Sequence, residues 1–270
     1  MVVQHNMAAS NANRQLGIST NTLSKSTEKL SSGYRINRAA DDAAGLSISE
    51  KMRSQIRGLN KASSNAQDGI SAIQTAEGAL NEAHSILQRM NELATQSAND
   101  TNTTADRTAV QSEVNALTNE LSRIASTSQF NTQNLLDGTF TGKNLQVGAL
   151  EKQKITISIG TMNAKALGVN SLDVKSFTKA GSAMTLIQKA ISKVSGQRSD
   201  LGALQNRLEH TVNNLDNISE NTQTAESRIR DTDMASEMVQ YSATSIIQQA
   251  GQSMLAQANS QTQGVLSLIQ

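Results

Sequence analysis

Both ends of this chain carry a thin apolar stripe that a single helix cannot bury. Near the N-terminus, apolar residues recur every seven positions, at Ala9, Leu16, Leu23 and Leu30. Near the C-terminus, apolar residues recur at steps of four and seven, at Ile247, Met254, Ala258, Val265 and Ile269. Such narrow repeats are typical of helices that pack against other helices. Both ends are therefore predicted to be helices that need partners.

The composition favours long helices packed side by side over a compact globule. The 270 residues include no Pro, so no helix is obliged to break, and aromatic residues make up only 2%. A globule of this length usually has more Phe, Tyr and Trp in its core. There is no Cys, which excludes disulfides and thiolate metal sites. These features are more typical of an assembly protein than of an enzyme.

Apolar spacing along the chain predicts several long helices. The first is expected to end near Ser32, where Gly33 can adopt a left-handed backbone. Asp41 and Asp42 are candidate N-caps before a long second helix that ends near Ala98. Further helices are predicted at 110–124, from about 181 to 218, and at 232–269.

A change of period in the middle of the chain predicts a small sheet at 139–175. Residues 154–159 alternate polar and apolar side chains, as a half-buried strand does, and residues 145–150 are the expected partner. A polar stretch near Asn221 is predicted to separate the last two helices. The predicted fold is mainly α, a long antiparallel helical bundle with paired N- and C-terminal helices and a small β-hairpin region in the middle of the chain.

No pattern in the sequence indicates catalysis, a cofactor or a metal. His5, His84 and His210 lie far apart and outside any metal-ligand spacing, so ordinary packing or surface roles are favoured. Phosphate-binding loops, dinucleotide-binding glycines and nucleophile elbows are absent from the sequence. The net charge of +1, without a basic block, argues against nucleic acid as a partner. No catalytic, cofactor-binding or metal-ligating residue is therefore predicted.

One charged cluster permits two interpretations. Arg228 and Arg230 closely precede Asp231 and Asp233, near a predicted helix start. Helix capping with solvated ion pairs, about 0 to 1 kcal/mol each, is the first interpretation. A charge contact between subunits is the second, and the sequence favours neither.

The sequence contains no obvious signal for a conventional secretory or membrane route. Residues 1–10 have neither a basic region nor a continuous apolar segment, so no cleaved signal peptide is predicted. No apolar run approaches the ~20 residues that span a bilayer, so membrane insertion is not expected. If the protein works outside the cell, its export must depend on another signal.

Several segments resemble the bacterial flagellin family. The segment LSSGYRINRAADDAAGLSIS at 30–49 is similar to the family's N-terminal signature, as are Asn6, Ala8, Ala9 and Asn11. The segments QNRLEHT at 205–211, ESRIRDTDMA at 226–235, LAQAN at 255–259 and VLSL at 265–268 are similar to its C-terminal half and tail. The motifs follow the family's order and cover nearly the whole chain except the middle.

The resemblance implies a structural subunit that polymerises head-to-tail into the helical flagellar filament used for motility. It implies a filament-core coiled-coil domain with a connecting spoke at 1–44 and 226–270, and a helical bundle domain at 45–138 and 176–225. The hairpin region at 139–175 belongs to the bundle domain, and the short middle implies no separate outer domain. The expected subunit-assembly residues are Leu16, Leu23, Leu30, Ile247, Met254, Ala258, Val265 and Ile269.

The resemblance also implies partners and a location. These partners are other copies of the chain, an export chaperone on the C-terminal helix, and the filament cap and hook-junction proteins. The implied location is the extracellular filament, reached by the flagellar type III route without a cleaved signal peptide.

A further implied partner is an innate immune receptor, Toll-like receptor 5, which recognises the monomers of some family members. The implied contact residues are Gln88, Arg89 and Leu93 on the long second helix and Glu113 on the next. Arg89 and Leu93, four residues apart, are expected to present a charged fork and an apolar knob on one helix face. The alternative is that Leu93 packs between subunits.

Two other functions compete with the filament subunit. A hook–filament junction protein also uses paired terminal helices, but the unbroken match to the flagellin tail argues against it. A secreted enzyme or binding module would need a catalytic insert. The sequence has neither a metal-ligand motif nor an insert of domain size.

Overall fold

The computed structural model describes residues 6–267, without the side chains of 262, 263 and 265–267. Six helices account for most of the described chain. They are α1 (Met7–Ser32), α2 (Ala43–Ser97), α3 (Thr104–Thr127), α4 (Ala164–Leu167), α5 (Phe177–Arg230) and α6 (Met234–Ser267). The mainly α prediction is confirmed, including the packing of the first helix against the last.

The chain divides into two compact units. Unit 1 combines residues up to 54 with those from 221 onward, and unit 2 is 55–220. The sequence-based domain boundaries at 44/45 and 225/226 remain predictions. Since α2 and α5 each run past a unit boundary, both helices contribute residues to both units.

Unit 2 is built around a continuous apolar core. In α2, buried side chains recur at three- and four-residue steps, as at Ile73, Ala76, Leu80, Ala83 and Leu87, which are at most 1% exposed. The facing part of α5 runs antiparallel, because Asn60 accepts a hydrogen bond from Ser219 at 2.7 Å and Asp216 accepts one from Ser63 at 3.0 Å. A long helical pair thus encloses the aliphatic interior that the sequence pattern indicates.

Two small antiparallel hairpins lie in the middle of the chain. One pairs β1 (Gln129–Phe130) with β2 (Gln133–Asn134), and the sequence had not indicated it. The other pairs β3 (Lys143–Gln146) with β4 (Lys154–Ile157), with Leu145 opposite Ile155. The β4 prediction is confirmed, but the predicted partner at 145–150 begins two residues too late and extends into the turn. The alternation criterion fails there because only Leu145 of β3 is even half-buried.

A buried side-chain amide secures the segment that leads into α5. The Gln111 amide nitrogen donates to the Leu172 carbonyl at 2.8 Å, and its carbonyl oxygen accepts from the Val174 N–H at 2.8 Å. The Ser97 hydroxyl donates to the Val174 carbonyl at 2.5 Å. Gln111 therefore satisfies the Leu172 carbonyl and the Val174 N–H as a neighbouring strand would.

The helix ends follow local sequence chemistry, with two corrections. Gly33 ends α1 in the left-handed region, with φ of 77°, as predicted. Asp42 caps α2 by accepting from the Gly45 N–H at 2.8 Å. Asp41 is not an N-cap, because its carboxylate accepts from the backbone of Asn37 and Arg38 in the preceding loop. The break predicted near Asn221 is also wrong: α5 continues to Arg230, because polar residues favour no break when none is Gly or Pro.

Candidate assembly and receptor surfaces

The α1–α6 contact uses one face of each helix in an antiparallel arrangement. The Asn6 amide donates to the Ala258 carbonyl at 2.9 Å, and the Gln248 amide lies 3.3 Å from the Thr20 hydroxyl. At the other end, Lys29 pairs with Glu237 at 3.5 Å. These contacts fix the helix register from end to end.

On α1, the contact face includes the predicted seven-residue repeat. Ala9, Leu16, Leu23 and Leu30 are half-buried. The positions between them in the heptad carry small residues, Ala12, Ser19 and Ser26, the last fully buried. Apolar and small residues thus alternate along one coiled-coil-like face, which we name the α1 seam.

On α6, the contact face differs from the predicted stripe. The residues covered by α1 are spaced four and three apart, and they are Glu237, Tyr241, Thr244, Gln248, Gly251, Leu255 and Ala258. We name this set the α6 seam. Hydrophobic spacing missed most of it because only Leu255 and Ala258 are aliphatic; the four–three spacing of small and polar residues was the available signal.

The predicted α6 assembly residues therefore fall on different surfaces. Ala258 lies in the α6 seam, whereas Ile247 and Met254 are 58% and 64% exposed. Val265 lies in helix α6, but its side chain is not among those described, and Ile269 lies outside the described residues. The assignment of all of these to subunit assembly remains a prediction.

Four exposed apolar residues of α6 form two rows outside its seam. Val239 and Ile246 are seven residues apart and 72% and 66% exposed, and Ile247 and Met254 repeat at the same spacing. We name these four residues the α6 outer rows. A seven-residue apolar repeat is the pattern of a second helix–helix contact, and within the chain α1 does not cover it.

The charged cluster before α6 joins the two ends of unit 1. Arg230 pairs with Glu50 at 2.6 Å and lies over the Tyr34 ring, 4.8 Å from its centre. The Tyr34 backbone also forms an isolated antiparallel bridge with Asp231. Arg230 thus has intrachain partners, which accounts for this residue without a contact between subunits.

The implied receptor residues lie on α2 and α3 of unit 2. The Arg89 guanidinium bonds to Glu113 at 2.9 Å and to Glu92 at 3.2 Å, and its side chain is half-exposed. The hydrogen bonds to Glu113 and then to Glu92 raise the pKa of Arg89 above its usual value. The two glutamates therefore hold the Arg89 guanidinium in one orientation on the surface.

Leu93 occupies a different environment from Arg89. It is 1% exposed and belongs to the core cluster of unit 2, so it packs within its own chain. Gln88 is exposed, with its amide nitrogen 3.1 Å from the His84 ring nitrogen. The structure therefore brings Gln88, Arg89 and Glu113 to the surface and places Leu93 beneath them.

Comparison with known proteins identifies the family. Residues 3–141 match the family model of the bacterial flagellin N-terminal helical region, and residues 184–269 match that of the C-terminal helical region. A flagellin of Halalkalibacterium halodurans is 56% identical over 271 residues, with both chains covered completely. The chain belongs to the bacterial flagellin family. It is thus a structural protein of the extracellular flagellar filament, in the short form without variable outer domains.

Two further flagellar proteins place this flagellin within the family. A 33 kDa flagellar filament core protein of Treponema phagedenis is 51% identical over 285 residues, with full coverage of both chains. The crystal structure of Bacillus cereus flagellin aligns with a TM-score of 0.50 at 32% identity, covering 56% of this chain and 88% of that one. Full-length similarity to filament proteins favours the filament subunit over the hook-junction alternative.

Within residues 6–267, no group of three or more His, Asp or Glu side chains could hold a metal ion. None of the helices in that range is long and apolar enough to cross a membrane. Two surfaces of this flagellin call for a functional explanation: the α6 outer rows, and the exposed side chains of Gln88, Arg89 and Glu113.

Proposed function

We propose that this flagellin polymerises head-to-tail into a helical filament used for motility, and that the α6 outer rows form the contact between neighbouring copies. The observation that carries this proposal is that Val239, Ile246, Ile247 and Met254 repeat at heptad spacing yet stay exposed. Their side chains are 58% to 72% exposed, and grouped exposed apolar residues mark interaction sites. A second copy of the same helical pair has a surface of matching chemistry.

A contact between unlike surfaces explains why the product is a filament. The α1 seam and the α6 seam cover each other within one chain, so the outer rows would meet some other surface of the next copy. If that surface differs from the outer rows the contact is heterologous, and a heterologous contact whose rotation does not close generates a helical polymer. Other exposed apolar residues of unit 1, such as Met7 and Ile18 on α1, are candidates for the receiving surface.

The test replaces two outer-row residues and measures filament growth. Ile246→Ser with Ile247→Ser removes apolar surface that the monomer does not bury, so the stability of unit 2 should not change. Elongation from filament seeds, followed by light scattering and electron microscopy, should slow at least about tenfold, since each buried Ile contributes about 1.5–3 kcal/mol.

The matched control is Gln249→Ser on the same helix. Gln249 is exposed, and its replacement by Ser costs at least as much helix propensity as Ile→Ser does, without removing apolar surface. This control should elongate at the rate of the unaltered chain. Equal elongation by the double variant and the control would refute the role of the outer rows.

A second candidate function, recognition of the monomer by Toll-like receptor 5, is favoured by the geometry of Arg89. Its guanidinium is exposed and oriented by Glu113 and Glu92, which lowers the entropy cost of binding a partner. Arginine is among the residues that most often dominate a protein interface. Gln88 adds an exposed amide one residue away, and buried Leu93 supports this part of α2 from within the core.

Affinity of the receptor ectodomain for variant monomers tests this candidate. Arg89→Ala should weaken binding by about thirtyfold, as expected for a central arginine contact of about 2 kcal/mol. Arg123→Ala is the matched control, because Arg123 is also an exposed arginine, bonded to Glu120 at 2.6 Å on the same helical bundle. Unchanged affinity of Arg89→Ala would remove the assignment. Leu93→Ala is unsuitable alone, since it would open a cavity in the core.

The exposed α6 outer rows also bear on how the protein is exported. An apolar helix face that waits for a neighbouring copy would aggregate before assembly unless another protein covered it. An export chaperone on α6, delivery by the flagellar type III route without a cleaved signal peptide, and contacts with the filament cap and hook-junction proteins are consistent with this requirement.

A further inference from the structure

The methionines of this flagellin are distributed unequally between its two units. Four described methionines are largely exposed, and all four lie in unit 1: Met7, Met234, Met238 and Met254. In unit 2, Met90 is fully buried and Met162 nearly so, while Met52 of unit 1 and Met184 of unit 2 are half-buried. Three of the exposed thioethers are on α6, and one of them, Met254, lies in an outer row together with Ile247.

We propose that Met254 is a modification site whose oxidation by a hydroperoxide blocks addition of the monomer to a filament. This inference rests on the proposed assembly role of the outer rows. The chain has no Cys, so no thiolate competes for the oxidant and the accessible thioethers are its most readily oxidised sulfur atoms. Exposure then selects which methionines react.

The chemistry is a two-electron oxygen transfer. A lone pair of the thioether sulfur attacks one peroxide oxygen, the O–O bond breaks, and a sulfur–oxygen bond forms. With hydrogen peroxide the second oxygen leaves as hydroxide and, after proton transfer, as water. The sulfur is oxidised to the sulfoxide and the peroxide is reduced.

The sulfoxide changes the surface that must be buried on assembly. A flexible apolar side chain becomes a polar one with a strong hydrogen-bond acceptor. Burying that acceptor against the apolar rows of a neighbouring copy leaves it without a donor, and this opposes association. A monomer that carries sulfoxides should therefore be excluded from growth, while unit 2 keeps its fold because Met90 and Met162 are protected.

The assembled state should also protect the same atoms. If the outer rows are covered by a neighbouring copy, Met254 in particular becomes inaccessible to peroxide. Oxidation would then act on the monomer before incorporation and spare the filament already built. This difference links the modification to assembly and distinguishes it from general chemical damage.

The experiment treats monomers with hydrogen peroxide and maps the modified residues by peptide mass spectrometry. Oxygen should be added fastest at the exposed Met7, Met234, Met238 and Met254, more slowly at the half-buried Met52 and Met184, and not at the buried Met90 or Met162. Seeded elongation of the oxidised monomers should slow at least about tenfold. Treatment with methionine sulfoxide reductases should restore the rate, and preformed filaments should show slower oxidation of Met254.

Two variants separate the site from other effects of peroxide. A chain with Met254→Leu keeps the apolar surface and should elongate after peroxide treatment almost as fast as before it. The control chain, Met90→Leu, should remain sensitive.

Three results would count against the inference. Unchanged elongation of oxidised unaltered chains would overturn it, as would equal inhibition of the Met254→Leu variant. Failure of untreated chains to elongate on seeds would overturn the proposed assembly function and this inference with it.

Discussion

The two units of this flagellin bury apolar surface in opposite ways. Unit 2 has a continuous core of aliphatic side chains, whereas Ile36 is the only apolar side chain of unit 1, among those described, that is buried. Unit 1 instead exposes most of the large apolar residues that face solvent, including the α6 outer rows. Burial of apolar surface is the main favourable contribution to folding. Unit 2 therefore contains most of the apolar burial that stabilises the chain, whereas unit 1 gains little from burial within the chain.

The seams show how unit 1 holds together without a core. Its covered positions are largely small or polar, as with Ser26, Thr244 and Gly251, and these contribute little transfer free energy. The Lys29–Glu237 ion pair fixes the register of the two helices more than it stabilises them, because desolvation of the two charges offsets much of their electrostatic attraction. A helix pair of this composition gains little stability from its own contact, as expected if further contacts with other copies of the chain stabilise it.

Removal of residues 240–270 tests this contrast most severely. The deletion takes away most of α6 and both outer rows except Val239, so we expect polymerisation to be abolished. Residues 45–220 should remain folded, because the core cluster of unit 2 is untouched. Circular dichroism, cooperative thermal unfolding and electron microscopy after seeding are the measurements. Normal filaments from the truncated chain would contradict the contrast.

Truncation of a core side chain should separate the units at the level of stability. Leu80 is fully buried, so Leu80→Ala should lower the free energy of unfolding by about 3 kcal/mol. Ile246→Ala, on an exposed outer row, should change it by less than about 0.5 kcal/mol while slowing elongation. Urea denaturation of both variants measures the difference. Equal losses would mean that unit 1 is stabilised by packing within the chain after all.

The Gln111 amide offers a test of how firmly unit 2 is specified by polar contacts. Gln111→Ala leaves the buried Val174 N–H and Leu172 carbonyl without this partner, which should cost about 2 kcal/mol. Asn119→Ala, at an exposed position of α3, is the control and should be nearly neutral. Hydrogen exchange at the Val174 amide should accelerate in the first variant. Unaltered protection would show that another group satisfies this backbone.

The smallest expected effect is a gain of stability within the seam. A Cβ at Gly251 would lie 3.5 Å from the Leu16 side chain, an ordinary contact, so Gly251→Ala should stabilise α6 by about 0.5–1 kcal/mol. Gly78→Ala in α2, where nothing lies within 4 Å, is the matched change in unit 2. Hydrogen exchange along α6 should slow in the first variant alone. Faster exchange there would indicate a seam too tight for a methyl group.

The structural features that depend on one strong local signal could be predicted from the sequence. The heptad of α1, the end of α1 at Gly33 and the alternation in β4 each follow from local chemistry, and the structure agrees with all three. Features for which the local residues have only a weak structural preference could not be predicted. Nothing in the residues near Asn221 ends a helix, so tertiary contacts carry α5 to Arg230, and hydrophobic spacing could not reveal the polar α6 seam.

The sequence alone determined that this flagellin has long unbroken helices with apolar stripes at both ends, because helix formation and heptad spacing depend on residues close together in the chain. Only the tertiary structure decided which stripe residues the chain covers itself. It placed Leu16 and Ala258 in the seams, left Ile247 and Met254 exposed, and buried Leu93 beneath Arg89. Those outcomes depend on how distant helices are rotated about their axes, and residues far apart in sequence fix that rotation.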